Sequence, residues 1–264
     1  MNFKTMLLTT AAVTMIAGVA NAKDFTGSLF LPAKGELLSN TSIDHSRLKD
    51  KYFGVEKGLS ASETLTYGIT DNFSITGTIA NEFEGGKLSN QRWMNNDHNF
   101  SYDVGVKYNH NFGKVLTQVG LGYHTYQYAS FAGHKGESSE WTKEIGGEVQ
   151  VGYDMGNGWV PYAMFTAASL IDEHERTPNY SAFAGVHKTF DKFAIDTGLR
   201  YDFVTDGPDV EQYWWQLEAN YFLTDNVALG FHGDYYINGD DANAEWGGKT
   251  KREFKIGAQL KVLF

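Results

Sequence analysis

Cysteine is absent from the 264-residue sequence, so neither a disulfide framework nor thiol chemistry is available. Proline occurs only 4 times, which leaves long stretches free to pair as strands. Beyond the first two dozen residues no apolar run approaches the roughly 20 residues that a membrane-spanning helix needs. Positive charge is short as well: 22 Lys+Arg face 32 Asp+Glu, a formal net charge of −10. No basic stripe is visible, and phosphate binding needs one, so nucleic acid is excluded as a partner. Neither a Gly-x-Ser-x-Gly nor a His-Glu-x-x-His segment occurs, and the 8 histidines show no metal-ligand spacing. No cofactor and no metal are expected.

The N-terminus is well furnished. Asn2 and Lys4 form a short basic region, residues 6–19 are apolar or small, and Ala20-Asn21-Ala22 supplies a small–x–small cleavage pattern. This reads as a secretory signal peptide over 1–22, with cleavage after Ala22 and a mature chain of 23–264. The alternative is an uncleaved N-terminal anchor.

The mature part alternates with period two almost end to end. Phe100, Tyr102, Val104, Val106 and Tyr108 share one face, while Ser101, Asp103, Gly105, Lys107 and Asn109 share the other. Segments of about ten alternating residues between turns are what transmembrane β-strands require. Such strands are predicted over 58–69, 73–84, 98–111, 115–129, 140–154, 159–171, 180–190, 193–204, 211–223, 227–238 and 252–264. Short Asx- and Gly-type turns at 70–72, 111–114, 155–158, 190–192 and 224–226 take turns with longer connections near 84–97, 130–139, 172–179, 205–210 and 238–251. That asymmetry belongs to outer-membrane barrels. The fold class is therefore all-β, a transmembrane antiparallel up-and-down barrel. An even strand number asks for a twelfth strand, and 37–43 is the candidate, with 44–57 as the first external loop and 23–36 as a periplasmic lead-in. Ten strands would serve if a weak pair lay outside the membrane.

Aromatics reach 15% and stand in two tiers. Tyr67, Phe73, Tyr108, Phe112, Tyr153, Trp159, Phe190, Phe193 and Tyr221 lie near the short turns. Phe83, Phe100, Trp141, Phe203, Tyr213, Trp215, Tyr235 and Trp246 lie toward the other rim. Amphipathic rings favour the two water–lipid interfaces. The chain ends Phe254, Ile256, Ala258, Leu260, Val262, Phe264, in phase with the outer face. That ending resembles the terminal signature read by barrel-assembly machinery, which makes this machinery a partner through Phe264, alongside outer-membrane lipid and lipopolysaccharide. Glu63 breaks the pattern. It falls in phase with Leu65, Tyr67 and Ile69, facing lipid unless a bulge turns it inward.

Two further segments carry a family likeness: Phe30-Leu31-Pro32-Ala33-Lys34-Gly35-Glu36, and Leu65 to Ile75 with its Tyr67-Gly68-Ile69-Thr70-Asp71-Asn72-Phe73 hairpin. Leu223-Thr224-Asp225-Asn226-Val227 repeats the turn. The pattern resembles the barrel proteins linked to the meta-pathway of phenol degradation, and is similar to many small outer-membrane channels. The resemblance implies a transport-like barrel without naming a solute or site residues.

The inward phase holds the chemistry. Its candidates are Asp103, Lys107, Glu144, Glu148, His187, Asp196, Arg200, Asp202, Glu218, His232, Asp234, Lys255 and Lys261. Hairpin geometry sets Glu218 opposite His232, His187 opposite Asp196, Arg200 beside Gln216 and Glu218, and Asp234 beside Lys255. Such a ladder would line a water path and select small polar solutes by charge, with an acidic excess that favours cations. Alternatively the charges pair with one another and the barrel is filled. A hydrolase is the third reading: a carboxylate beside histidine orients a general base, yet no serine falls beside either histidine. The fourth is an adhesive role through loop acids Glu137, Glu140, Asp172, Glu173, Glu175, Asp209, Glu211, Asp240, Asp241 and Glu245. Exposed acids are usually just solvated.

Overall fold

Alternation has a direct consequence in three dimensions. A strand with one polar and one apolar face must put the apolar face against something that is not water. In the computed structural model, which describes residues 24–50, 54–84, 99–127, 141–171, 178–204, 211–240 and 252–264, twelve such strands close on themselves. They are β1 (Leu37–Asp50), β2 (Gly54–Gly68), β3 (Phe73–Glu84), β4 (Asn99–Phe112), β5 (Val115–Gln127), β6 (Trp141–Tyr153), β7 (Trp159–Leu170), β8 (Asn179–Thr189), β9 (Phe193–Val204), β10 (Glu211–Thr224), β11 (Val227–Asp240) and β12 (Arg252–Leu263). Each pairs antiparallel with its chain neighbours, and β1 pairs with β12 to seal the ring. At that seam Phe264 N–H donates to Leu37 O at 2.8 Å and Leu37 N–H to Phe264 O at 3.1 Å.

The outward phase is apolar and exposed. Leu65, Ile75, Ile79, Val104, Leu121, Val149, Leu199, Leu229 and Phe231 all stand open on it. A continuous belt of this kind is untenable in water and matches the hydrocarbon of a bilayer. Its lower tier of rings, among them Tyr67, Tyr108, Phe112, Tyr153, Trp159, Phe190 and Phe193, sits at the short-turn end. In the upper tier Phe100, Tyr213, Trp215 and Tyr235 are exposed, while Trp246 and the side chains of Phe83 and Trp141 lie outside the described residues. Most loop acids, including Glu137, Asp172, Asp209, Asp241 and Glu245, also fall there.

One expectation needs correction. The first strand is not a short 37–43 segment followed by a loop from residue 44. It runs to Asp50 and pairs in unbroken register with β2, so Asp44 is buried in mid-strand. Of the two placements left open for Glu63, the outward one holds. The β1–β2 and β2–β3 registers pass through it without interruption, opposite Thr41 and Ile79. It keeps the phase of Leu65 and Tyr67 and lies on the outer face. Its carboxylate accepts hydrogen bonds from Ser39 Oγ at 2.6 Å and from Thr41 Oγ1. The neighbouring strand thus supplies partners that lipid cannot.

The segment before β1 is the other surprise. Residues 24–36 lie inside the ring, across its short-turn mouth. Phe25 is fully buried among Phe222, Ala194, Ala228 and Leu263, with Phe30 and Leu38 against the same cluster. Its ring meets Phe222 edge-on at 5.6 Å. Burial of such a ring is worth about 1.5–3 kcal/mol.

Candidate functional site

Seven of the thirteen candidate residues, Lys107, Asp196, Glu218, His232, Asp234, Lys255 and Lys261, edge one interior cavity, and the partners differ in part from those expected. Four walls can be distinguished. The charged wall runs over β8–β12 and β1. Lys261 Nζ donates to Glu218 Oε1 at 2.6 Å, and Asn220 Nδ2 donates to the same oxygen at 2.7 Å. His187 stands opposite Asp196, its Nδ1 3.4 Å from Asp196 Oδ2, and Tyr162 O–H donates to the other Asp196 oxygen at 2.6 Å. Asp234 is in register with Lys255.

Two expected pairs are displaced. His232 is in register with Glu218, yet its Nε2 turns across β12 to Asp44, a residue expected in a loop. Gly257, between them, leaves the space: a Cβ there would meet Asp44 Oδ1 at 2.3 Å and His232 Nε2 at 2.6 Å. Lys255 Nζ completes the group 3.6 Å from Asp44. Arg200 is opposite Trp214 and not beside Glu218, whose β9 partner is Asp196. Its guanidinium lies 5.0 Å from the Trp214 ring centre, 3.0 Å from Asp202 and 3.9 Å from Asp234. The long side chain reaches along the wall, which strand register alone cannot reveal.

The hydroxyl wall follows on β1–β3. Ser42 and Ser62 are 2.8 Å apart, Thr64 and Thr78 3.0 Å, and Thr66 and Thr76 3.1 Å. On β4–β6 the wall is thin. Gly105, Gly122 and Gly146 are in register, with Thr76 and Ala168 on either side. Above that row Asp103 bonds His124, with Glu144 next in register. Below it Lys107 reaches over Gly120 to Glu148 at 2.6 Å. The aromatic wall is Tyr162 with Phe183, ring centres 5.2 Å apart on β7 and β8.

Between these walls lies a cavity of about 520 Å³, edged by Asp44, Asp196, Glu218, His232, Asp234, Lys107, Lys255 and Lys261. Its floor is the segment from Phe25 to Phe30. Among the strand residues whose side chains are described, eight carboxylates are on the inward phase (Asp44, Asp103, Glu144, Glu148, Asp196, Asp202, Glu218, Asp234) against four lysines or arginines (Lys107, Arg200, Lys255, Lys261). Each of those four cations touches a carboxylate, and Asp103 and Asp196 lie against the rings of His124 and His187.

Sequence reasoning missed Asp24. Its carboxylate takes the Nε2 side of His187 at 2.6 Å and a hydrogen bond from the Thr189 hydroxyl, and Thr26 Oγ1 donates to its other oxygen at 2.8 Å. Burial opposes charge on Asp24. The hydrogen bond and the positive field from His187, followed by Thr189 and Thr26, outweigh it and hold the carboxyl well below the usual carboxylate range. Lys261 Nζ adds a bond to Thr26 O at 3.3 Å. Among the described residues no serine is hydrogen-bonded to the ring of His187 or His232, and no cluster could hold a metal ion.

No family model and no curated protein sequence matches the chain. Solved structures do. An outer-membrane channel from Pseudomonas putida F1 is 15% identical, covering 93% of this chain and 100% of that one, with a TM-score of 0.62. A NanC porin is 9% identical over 83% of this chain and 98% of its own, TM-score 0.55. A KdgM porin in complex with disordered oligogalacturonate is 10% identical over 84% and 98%, TM-score 0.51. The fold shared with these proteins is the small outer-membrane barrel.

Proposed function

We propose that the chain works in the bacterial outer membrane as a narrow channel for small polar solutes, with a preference for cations. The observation that carries this reading is the 520 Å³ cavity, whose walls bring many hydroxyls and charged side chains together with a smaller apolar share from Phe25, Phe30, Leu38 and Phe183. A filled barrel would close such a volume with packed hydrophobes. The excess of carboxylates within low-dielectric walls concentrates a negative potential. That runs against an acidic oligosaccharide of the kind seen with the KdgM porin, and toward cations or neutral polar molecules. Cleavage after Ala22 would deliver the chain to the envelope, and Phe264 would present it to the assembly machinery. The hydrolase reading gains little from the geometry: the hydroxyl beside His187, Thr189 Oγ1 at 3.2 Å from Nε2, donates to Asp24 and not to the ring.

The test is the reversal potential across a planar bilayer under a salt gradient, for the parent and for Glu218→Gln. The substitution removes one negative charge, the one paired with Lys261, and so makes the lumen more positive by one unit. Cation preference in the parent, reduced in the variant, is the expected result. Anion preference in the parent, or an unchanged reversal potential in the variant, rejects it. Residues 24–36 across the mouth favour a second reading, a plugged structural barrel, and a folded protein without conductance would support that one.

A further inference from the structure

The inner segment is anchored at two places on opposite sides of the ring. Its C-terminal end is fixed to β2. Gly35 N–H donates to Gly68 O at 2.8 Å, Gly68 N–H to Glu36 O at 3.0 Å, and Lys34 N–H to Asp71 Oδ1 at 3.1 Å. Gly68 is required there, because Ala33 O would lie 2.0 Å from any Cβ. Its N-terminal end is fixed to β8, through Asp24 on His187 and Thr189. In the ring β2 and β8 are six places apart, which is diametrically opposite in a barrel of twelve. Between the anchors Phe25 packs on β9–β12, and Leu29 meets the bare face of Gly152 on β6. The segment therefore bars the short-turn mouth from side to side.

The two anchors differ in kind. The β2 anchor is a set of backbone bonds at the base of a strand and is as permanent as the sheet. The β8 anchor is one side chain on two others. Without it, the free end is held by Phe25 and Phe30 in their apolar cluster, by one bond from Lys261 Nζ to Thr26 O, and by Leu29 against Gly152.

We propose that residues 24–31 form an autoinhibitory strap, hinged at Ala33–Gly35, and that the Asp24–His187–Thr189 contact is the latch which keeps the channel shut. This rests on the channel reading above. A charge-assisted hydrogen bond is worth enough to move the docking equilibrium by about 10- to 100-fold, so losing the latch shifts the strap toward its undocked state by that factor.

The absence of native cysteine allows a clean test. Three proteins are refolded and shown to be folded by heat-modifiable migration: the parent, Asp24→Ala, and the double variant Asp24→Cys with Thr189→Cys. Single-channel currents are then recorded. The inference expects Asp24→Ala and the reduced double variant to spend about tenfold more time conducting than the parent. It expects the oxidised double variant, cross-linked as judged on a non-reducing gel, to conduct less than the parent and to recover on reduction. Equal conductance in all forms, the cross-linked one included, overturns the strap while leaving the channel reading intact. Failure of the cysteine pair to cross-link overturns the docked position. No conductance from any folded form rejects the channel reading and the strap with it.

Discussion

The Glu63 site offers a perturbation whose sign separates two physical arguments. Thr41 lies on the outer face and donates to the Glu63 carboxylate, as does Ser39 at 2.6 Å. Thr41→Val replaces a hydroxyl by a methyl of similar size on a surface that faces lipid. Judged by transfer to hydrocarbon alone, it should stabilise the barrel. Judged by partners, it leaves one carboxylate oxygen unpaired where water cannot replace the bond, a cost of about 1–3 kcal/mol that exceeds the gain from one methyl, about 0.8 kcal/mol. Thr41→Val alone is therefore expected to destabilise. In a Glu63→Leu background the acceptor is gone, and the same change is expected to stabilise by about 0.5–1 kcal/mol. Urea unfolding in lipid vesicles, followed by the fluorescence of the 6 tryptophans, measures both arms of the cycle. Stabilisation by Thr41→Val in both backgrounds would refute the reasoning and show that Glu63 does not depend on the hydroxyl.

Other outcomes follow from geometry already described. Because the Asp24 carboxyl is held below its ordinary range, its contribution to strap docking is fully present above the unperturbed value of about 3.9 and is lost only as pH falls toward the lower folded value. Acidifying from about pH 7 to about pH 5 should accordingly leave Asp24 latched, and opening caused by Asp24 within that range would contradict its assignment. Deleting Phe264 removes a residue whose backbone makes two seam bonds to Leu37, so the heat-modifiable folded band in cells should fall; normal assembly would remove its assigned role. Gly120→Val would place carbon 2.7 Å from Glu148 Cγ and push that side chain off Lys107, giving lower stability and an altered reversal potential; a neutral substitution would mean the bridge lies elsewhere.

Eleven of the strands were legible because their two faces differ in chemistry and their turns carry Asn, Asp and Gly. The twelfth was legible only as a short candidate at 37–43 that an even strand number asked for, and its second half was read as a loop. Along β1 the outer phase reads Ser39, Thr41, Ile43, His45, Arg47, and the inner phase is polar too, so alternation vanishes and the segment resembles a loop. Asp44 was lost with it, and with Asp44 the true partner of His232. Register pairs such as His187 with Asp196 could be counted from a turn, since hairpin spacing is fixed. Arg200 could not, because a flexible stem carries its charge a full row from its Cα. Asp24 was beyond reach for another reason: it is 163 residues from His187 in sequence, in a segment with no periodicity to point at a wall.

The strap also bears on the mechanics of the ring. A closed sheet resists stretching around its circumference, because every step is held by backbone hydrogen bonds, but it flattens easily, since flattening only bends the sheet. A chord tied to β2 at one end and β8 at the other fixes one diameter. While it is taut, the barrel cannot become oval along that axis, and the spacing of the hydroxyl wall from the His187 side is set by the chord's own length. Undocking at Asp24 removes the tie as well as the obstruction. The cross-section and the mouth are thus governed by the same twelve or so residues, and a change that lengthens the chord would widen the cavity even with both anchors in place.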